Sequence, residues 1–474
     1  MSETLWTRDE LLAAIDGEYV GVLPAAVTGI SIDTRTLSAG ELFFAIKGER
    51  TDGHAFIEQA FAAGAALAIV SRDFRGDASG PFLRVDDTLE ALNALGRAGR
   101  NRSAARIIAV PGSVGKTGAK EMLRLMLGRL GSVHASDKSY NNHWGVPLSL
   151  ARLPREAAYA VFEIGMNHSG EITPLTKMVR PHAAIITTIA PAHMQSFADV
   201  EEIAEAKAEI FQGLELGGAA ILNKDNEYFH LLAARAREGG AGQIIGFGKQ
   251  QGAEARLESV EAGASGSAVT AALLGEPVSY RLGAPGEHLV MNSLAAIAAI
   301  KAVGGDASRA AQALKGFGAP PGRGAQSVHE IAGGSLRLID ESYNANPVSM
   351  AAALAVLNTV GKGRKLAVLG DMLELGPQSA AMHRGLADPI AEAGVDLVYC
   401  CGPEMRALFE ALPEARRGAK AQQSAGLKDA LLAALRPGDT VMIKGSLGSR
   451  MGLIVDSLKQ QFALAAANTD DAAE

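Results

Sequence analysis

The clearest chemical signal in the sequence is a glycine-containing turn between an apolar run and a helical pattern. The segment RIIAVPGSVGKTGAKEML predicts a strand, a tight turn and a helix that begins at Lys116–Thr117. Backbone N–H groups in such a turn point at phosphate oxygens, and the helix dipole strengthens the attraction. We expect Lys116 to contact the β- and γ-phosphates of a nucleotide and the Thr117 hydroxyl to bind Mg²⁺. The loop residues predicted to bind the nucleotide are Gly112, Ser113, Val114, Gly115, Lys116 and Thr117.

This turn is a shorter variant of the usual phosphate-binding loop. The strict pattern G-x-x-x-x-G-K-[ST] requires glycine at position 110, where this chain has Val110. Gly112 supplies backbone flexibility two residues later. Taken alone, the segment is also compatible with a glycine-rich strand-to-helix turn in which a Lys-Thr pair occurs by chance.

Three residues further along the chain have side chains that could take part in the chemistry. Glu163 ends a predicted strand in AVFEIGMNHSGEI, where a second acidic residue would reach Mg²⁺ held by the loop. His193 is predicted to end another strand, in ITTIAPAHMQSF, although a single histidine is as often structural as functional. Lys207 lies in a predicted helix, where its spacing alone favours an ordinary solvated lysine.

The composition is that of a globular protein with several domains. A chain of 474 residues corresponds to about three domains of roughly 150 residues each. The net charge of -7 gives no overall signature of nucleic-acid binding. The two cysteines are adjacent and cannot form a disulfide framework, which favours a reducing compartment. Because we find neither a signal peptide nor an apolar run of ~18 residues, we expect a cytoplasmic protein without a transmembrane segment.

The order of strand-like and helical segments predicts an α/β fold with three domains. Residues 1–104 form a small α/β unit suited to ligand recognition at its loops. In residues 105–316, apolar runs alternate with helices, which predicts a doubly wound parallel sheet around the phosphate-binding loop. A Gly/Pro-rich stretch, GFGAPPGRG, marks a boundary near Gly316. Residues 317–474 show the same alternation and are predicted to form a Rossmann-like domain.

Nine motifs follow one another along the chain. They are GSVGKT, FEIGMN, AHMQSF, the helix around Lys207, PGEHLVMNSLAAIAA, PGRG, DESYNANPVSM, LAVLGDMLELG and IKGS. Together they resemble the Mur ligases of peptidoglycan synthesis. The segment SIDTRTLSAGELFFAIKGERTDGH is similar to the uridine-nucleotide domain of one branch of that family. The resemblance covers the chain from about Ser31 to Arg450, and it implies a ligase that uses ATP to form an amide bond.

The resemblance implies a role for each of the candidate residues in the central part of the chain. Thr117 and Glu163 would hold one Mg²⁺ ion, and His193 would help to hold a second. Lys207 matches a lysine that family members carbamylate, and a carbamate turns a cation into an oxygen ligand. The residues implied to be catalytic are Lys116, His193 and Lys207.

Further residues are implied to bind the nucleotide and the substrates. Asn292 matches an asparagine near the adenine, and Arg323 in PGRG matches a phosphate-contacting arginine. Asp340 and Glu341 match an acidic pair near the ribose, and which of the two takes the hydroxyls stays open. The residues implied to bind substrates are Ser31, Asp33, Thr34, Arg35, Asn141, Asn142, Tyr343, Asn344, Asn346, Lys444 and Ser446.

Two of these assignments carry an alternative. Tyr343, Asn344 and Asn346 are also compatible with a polar turn before a helix that starts at Pro347. Many relatives have arginine after the serine of IKGS, whereas this chain has Leu447, so a charge contact there is in question.

The implied activity follows from the motifs DESYNANP and GDMLELG. They favour the branch of the family that joins D-Ala-D-Ala to UDP-N-acetylmuramoyl-tripeptide through an acyl phosphate, with ATP and two Mg²⁺ ions. We expect a monomer that binds these substrates and no nucleic acid. The third residue of the tripeptide, lysine or diaminopimelate, stays open.

Four other functions fit the sequence less well. A sibling ligase that adds the third amino acid is disfavoured by DESYNANP and by the lack of a DNPR-type motif. A folate polyglutamate ligase would leave the uridine-nucleotide domain unexplained. A non-catalytic nucleotide-binding scaffold is disfavoured by the intact Lys116, Thr117, Glu163 and His193. A GTPase is disfavoured because the segment NKDN ends in Asn226 instead of aspartate.

Overall fold

The structure, a computed structural model, describes residues 4–48, 51–76, 80–137 and 139–465. The described chain forms an α/β fold with three successive units, each built around its own main sheet. We refer to them as the N-terminal, central and C-terminal domains. The predicted fold class is confirmed, while the residue limits of the three domains stay predictions.

The N-terminal domain has a five-stranded sheet in the order β2-β7-β6-β5-β4. Strands β4 to β7 pair in parallel, and β2 adds an antiparallel edge. The strands are β1 (Trp6–Thr7), β2 (Glu18–Val20), β3 (Ala26–Val27), β4 (Ile30–Ser31), β5 (Leu42–Phe44), β6 (Leu67–Ser71) and β7 (Phe82–Val85). The helices are α1 (Arg8–Ala14), α2 (Ile57–Ala62) and α3 (Thr88–Arg102).

The central domain has a nine-stranded sheet in the order β16-β15-β14-β13-β12-β11-β8-β10-β9. The strands are β8 (Arg106–Val110), β9 (Val133–Ala135), β10 (Tyr159–Glu163), β11 (Ala183–Ile186), β12 (Ala219–Asn223), β13 (Gln243–Gly248), β14 (Ala255–Gly263), β15 (Gly266–Leu273) and β16 (Glu276–Leu282). The helices are α4 (Lys116–Leu127), α5 (Gly145–Ala151), α6 (Ile172–Val179), α7 (Val200–Ala208), α8 (Phe229–Glu238), α9 (Glu287–Ala302) and α10 (Ala307–Ala311).

Strands β8 to β13 are parallel to their neighbours in the order β13-β12-β11-β8-β10-β9, and helices cover both faces of this part of the sheet. One buried cluster packs α4 and α9 on one face, and a second cluster packs α5 to α8 on the other. Strands β14 to β16 extend the sheet as antiparallel hairpins. Short apolar strands buried on both sides are typical of a doubly wound sheet.

The C-terminal domain has a six-stranded sheet in the order β17-β18-β22-β19-β20-β21, parallel except for β17. The strands are β17 (Ala325–Ile331), β18 (Gly334–Glu341), β19 (Lys365–Gly370), β20 (Leu397–Cys401), β21 (Arg417–Ala421) and β22 (Thr440–Lys444). The helices are α11 (Pro347–Val360), α12 (Ser379–Arg384), α13 (Ala387–Glu392), α14 (Arg406–Ala411), α15 (Lys428–Ala434) and α16 (Gly452–Gln461).

Short 3₁₀ helices complete the described secondary structure. They are Gly53–Phe56, Glu209–Gly213, Gln312–Gly316, Gly376–Gln378, Glu414–Arg416, Ser424–Leu427 and Leu447–Ser449. Within the described ranges, no helix is long and apolar enough to cross a membrane.

Helix α3 joins the N-terminal domain to the central domain by packing closely against α5. A Cβ atom at Gly99 would lie 2.2 Å from the carbonyl oxygen of Leu150, and one at Gly96 would lie 2.9 Å from that of Pro147. Only glycine therefore allows the two helices to approach this closely.

We predict that Gly99→Ala lowers the free energy of unfolding by about 1–3 kcal/mol, because the helices must separate to admit the methyl group. Chemical denaturation of the purified variant measures the change. Gly316→Ala is the control, since no atom lies within 4 Å of its added Cβ. Equal stability of Gly99→Ala and the wild type would contradict this account of the α3–α5 contact.

Candidate active site

The predicted phosphate-binding loop connects β8 to α4, and two of its glycines are required by geometry. Gly115 caps α4 with φ 88°, and Gly112 has φ 151°. A Cβ at Gly112 would lie 1.9 Å from Thr187 Oγ1, and one at Gly115 would lie 2.6 Å from Asn292 Nδ2. Left-handed backbone and crowded surroundings together exclude a side chain at both positions.

The loop is held in place by the segment that follows β11. Ser113 N–H donates to Thr188 O at 2.9 Å, and the Ser113 hydroxyl donates to Ala190 O at 3.0 Å. Within the loop, Lys116 Nζ donates to Gly112 O at 2.7 Å, so its ammonium group lies over the turn. Burial lowers the pKa of Lys116, an effect that Glu163 opposes and Arg323 reinforces.

Glu163 lies beside the phosphate-binding loop because of strand register. Strands β10 and β8 pair in parallel with Glu163 level with Val110, the last residue before the turn. Thr117 Oγ1 then donates to Glu163 Oε2 at 2.8 Å, and Asn141 Nδ2 donates to Oε1 at 2.7 Å. Both Thr117 and Glu163 are buried.

The oxygen atoms of Thr117 and Glu163 suit a magnesium ion better than a metal whose ligands all come from the protein. Among the described residues, no group of three or more His, Cys, Asp and Glu side chains is arranged to hold a metal. Mg²⁺ is usually held by one or two protein oxygens together with phosphate and water. The Thr117–Glu163 pair matches that donor set.

The C-terminal domain forms the opposite wall of a cleft of about 290 Å³ above the loop. The cleft brings together fourteen of the residues predicted from the sequence: Ser113, Val114, Gly115, Lys116, Asn141, Glu163, His193, Asn292, Arg323, Glu341, Tyr343, Asn344, Asn346 and Lys444. These residues span more than three hundred positions of the sequence. The fold therefore assembles one site from two domains.

Arg323 reaches from the C-terminal domain towards the central domain. Its guanidinium group lies 4.1 Å from the centre of the Tyr343 ring, and Nη2 donates to Ser139 Oγ at 3.1 Å. Stacking on the ring fixes the plane of the guanidinium group, which leaves a positive charge in the cleft.

The acidic pair divides into one residue that lines the cleft and one that supports it. Glu341 lines the cleft, and its Oε2 lies 3.2 Å from Lys444 Nζ. Asp340 accepts hydrogen bonds from Gly322 N–H at 3.0 Å and from the Ser342 hydroxyl at 2.6 Å. Asp340 thus holds the backbone turn that presents the neighbouring cleft residues.

His193 lies in the cleft, but the expectation that it ends a strand is wrong. Strand β11 ends at Ile186, and His193 follows in a turn with φ 57°. The apolar run that suggested a longer strand leaves the sheet at Thr187, which bonds to the phosphate-binding loop. The Nδ1–H of His193 donates to Glu374 Oε2 at 2.5 Å.

Lys207 lies near the end of α7, as predicted, but it is not the solvated lysine that its spacing favoured. Only 3% of its surface is exposed. Burial lowers the pKa of Lys207 well below its ordinary value, and the positive charge of Lys116 lowers it further. No hydrogen bond within the described ranges joins Lys207 to His193.

Several predicted substrate residues lie outside this cleft. Asn142 accepts a hydrogen bond from Gly145 N–H at 2.9 Å and thereby supports the start of α5. Ser446 accepts one from Leu373 N–H at 2.9 Å, behind the cleft wall. The cluster Ser31, Asp33, Thr34 and Arg35 follows β4 in the N-terminal domain.

In this cluster, the Ser31 hydroxyl donates to Asp33 O at 3.1 Å, and Arg35 pairs with Asp33 at 2.6 Å. A second cavity of about 980 Å³ lies between the N-terminal and central domains. Thr36 and Tyr140 line this cavity, whereas the four cluster residues do not.

Sequence reasoning missed other residues of the cleft. Ser139, Asn167 and His288 line it, and burial lowers the pKa of His288 despite the opposing charge of Glu341. Asn167 stands in FEIGMN and His288 in PGEHLVMN, so their motifs were visible although the individual roles were not. Glu374, the partner of His193, stands in LAVLGDMLELG, so its motif was visible too, although its contact with His193 was not.

Comparisons with known proteins agree with this architecture. Residues 26–100 match the Mur ligase family catalytic domain, residues 110–300 the Mur ligase middle domain, and residues 326–447 the Mur ligase glutamate ligase domain. The chain belongs to the Mur ligase family.

Individual relatives are similar over nearly the whole chain. A UDP-N-acetylmuramoyl-tripeptide–D-alanyl-D-alanine ligase of Escherichia coli is 35% identical, over 96% of this chain and 98% of its own. The protein with the same name from Bacillus subtilis is 34% identical, over 91% and 93%.

A crystal structure of MurF from Acinetobacter baumannii superposes with a TM-score of 0.84 at 32% identity, over 96% of this chain and 99% of that one. MurF of Thermotoga maritima in complex with ADP shares the fold, with a TM-score of 0.76 at 24% identity, over 91% and 97%.

Proposed function

We propose that the cleft catalyses the ATP-dependent addition of D-Ala-D-Ala to UDP-N-acetylmuramoyl-tripeptide, with ADP and phosphate as the other products. The observation that carries the proposal is the convergence of Lys116 and Glu163 with Arg323, Tyr343 and Lys444 in one cleft. The similarity to ligases of that name supports the choice of substrates.

ATP binds with its phosphates on the loop from Gly112 to Thr117. Lys116 offsets negative charge on the transferring phosphoryl group, and Arg323 approaches the same group from the opposite wall. Asn292, which already contacts Gly115 O at 3.4 Å, lies on the side assigned to the adenine. Glu341 is the member of the acidic pair that faces the cleft, and we assign it to the ribose hydroxyls.

The reaction overcomes the poor reactivity of a carboxylate. The terminal carboxylate of the tripeptide attacks the γ-phosphate, the bond to the β-phosphate oxygen breaks, and ADP leaves. The amino group of D-Ala-D-Ala then attacks the acyl carbon, phosphate departs, and the amine loses a proton. The protein contributes mainly position and charge, as in other phosphoryl transfers.

Mg²⁺, when bound, offsets negative charge on the phosphate oxygens. Thr117 and Glu163 would hold one ion, since their oxygen atoms already lie within hydrogen-bond distance of each other. His193 and a carbamylated Lys207 would hold the second. The low pKa of buried Lys207 favours the neutral amine, which is the form that attacks CO₂ and then loses a proton to give the carbamate.

The part of the cleft that we assign to the incoming D-Ala-D-Ala is formed by the loop between β18 and α11. Lys444 Nζ donates to Asn344 O at 2.9 Å, which fixes the backbone of this loop. The side chain of Asn346 accepts from Ser349 N–H at 2.9 Å and caps α11. We therefore assign Tyr343 and Asn344 to the incoming dipeptide and give Asn346 a mainly structural role.

The N-terminal domain is assigned to the uridine nucleotide. Ser31, Asp33, Thr34 and Arg35 lie at the carboxyl end of β4, where parallel sheets commonly bind ligands. Asn141 and Asn142 belong to the loop between β9 and α5, which lies between the N-terminal domain and the cleft. Closure of the C-terminal domain would then shield the acyl phosphate from water.

Substrate-dependent release of ADP tests the activity. We expect ADP to form rapidly only when ATP, Mg²⁺, D-Ala-D-Ala and UDP-N-acetylmuramoyl-tripeptide are all present, and parallel assays with lysine- and diaminopimelate-containing tripeptides identify the preferred one. Lys116→Ala should lower kcat/KM roughly 10²–10³-fold, because a charge-stabilising contact is lost. Lys177→Ala, on an exposed face of α6, is the control. ADP release that is no faster with both substrates than without them would refute the activity.

Carbamylation of Lys207 is tested separately by NMR in buffer containing ¹³C-labelled bicarbonate. We expect one carbamate signal in the wild type and in Lys177→Ala, and none in Lys207→Ala. Removal of CO₂ should lower turnover, and added bicarbonate should restore it, because the carbamate forms reversibly. Full activity of Lys207→Ala would exclude the proposed role.

A further inference from the structure

The loop that follows β19 meets the turn that carries His193, and the two come from different domains. Glu374 of this loop accepts a hydrogen bond from His193 Nδ1–H at 2.5 Å through its side chain. Its backbone carbonyl also accepts one from Gln195 N–H at 3.0 Å. A single residue of the C-terminal domain thus holds both the ring and the backbone of the His193 turn.

Backbone geometry marks the same pair. His193 has φ 57° and Glu374 has φ 65°, and they are two of the five non-glycine residues with positive φ in the described part of the chain. Side chains disfavour this region, so such residues persist where the surrounding structure fixes them, and they are concentrated at functional sites.

The loop that presents Glu374 is itself anchored within the C-terminal domain. Met372 N–H donates to His383 Nε2 at 3.0 Å, and Leu373 N–H donates to Ser446 Oγ at 2.9 Å. His383 and Ser446 are both buried. The position of Glu374 is therefore fixed relative to the rest of the C-terminal domain, including the strand that ends at Lys444.

The contact determines how the imidazole can act. With Nδ1–H donated to the carboxylate, a neutral imidazole carries its lone pair on Nε2, which makes no hydrogen bond with any described residue. Histidines that bind metals usually donate their other ring N–H to a carboxylate in this way.

We propose that Glu374 is a positioning residue for His193, supplied by the C-terminal domain, so that the second cation site of the cleft is complete only when the two domains are joined at this contact. The inference rests on the proposed function, which places a cation at His193. The inference adds that this cation site depends on the position of the C-terminal domain as well as on ligands from the central domain.

Mn²⁺ binding to the full-length protein in the presence of ADP tests the inference without relying on activity. Electron paramagnetic resonance should show two bound Mn²⁺ ions per wild-type chain. Glu374→Ala should weaken the second ion roughly 10–100-fold and leave the first unchanged. Glu374→Gln, which retains an acceptor oxygen, should recover part of the loss. Glu392→Gln, an exposed carboxylate on the same domain, is the control and should match the wild type.

A double mutant separates positioning from a general structural effect. If Glu374 acts through His193, adding Glu374→Ala to His193→Ala should cause no further loss of Mn²⁺ affinity, whereas independent effects would add. The KM for Mg²⁺ should also rise more than kcat falls in Glu374→Ala.

The outcomes distinguish this inference from the proposed function. Unchanged binding of both ions in Glu374→Ala, in a protein whose wild type is an active ligase, overturns the role of Glu374 alone. A wild type that binds one Mn²⁺ overturns the second cation site and the inference with it. A wild type without substrate-dependent ADP release overturns the ligase function itself.

Discussion

The hydrogen bond between Thr117 and Glu163 is the contact on which the rest of the site depends. It exists because β8 and β10 pair in parallel with Glu163 level with the last residue before the phosphate-binding loop. A shift of one residue would turn the carboxylate to the other face of the sheet. Burial of both strands on both faces fixes that register, so the apolar core determines where the acidic oxygen lies.

The second wall of the cleft comes from a separate domain, so the complete site is a property of domain packing. Arg323 contacts Ser139, and Glu374 contacts His193, each across the same boundary. The Arg323 contact places positive charge in the cleft, and the Glu374 contact fixes the ring of His193, which also lines the cleft. Chemistry that forms a water-sensitive acyl phosphate benefits from a cleft with walls from two domains, because the walls exclude water from the reactive group.

Local sequence was sufficient for the parts of the site that one strand and one turn create. Lys116, Thr117 and Glu163 follow directly from strand–turn–helix patterns, and the α/β fold follows from their repetition. His193 was assigned to a strand end because its apolar run continues past Ile186, whereas hydrogen bonds to the loop end the strand there. The burial of Lys207 and the partnership of Glu374 depend on contacts between distant segments, which periodicity does not reveal. The different roles of Glu341, which lines the cleft, and Asp340, which supports the turn at Gly322, likewise became visible only from the geometry of that turn.

The central claim is that this cleft activates a substrate carboxylate with the γ-phosphate of ATP, and oxygen tracing tests it most directly. UDP-N-acetylmuramoyl-tripeptide labelled with ¹⁸O in its reacting carboxylate is incubated with ATP, Mg²⁺ and D-Ala-D-Ala, and the released phosphate is analysed by mass spectrometry. The account predicts one ¹⁸O atom in each phosphate, because the oxygen that attacks the γ-phosphate departs with it. Unlabelled phosphate formed together with the amide product would contradict the account.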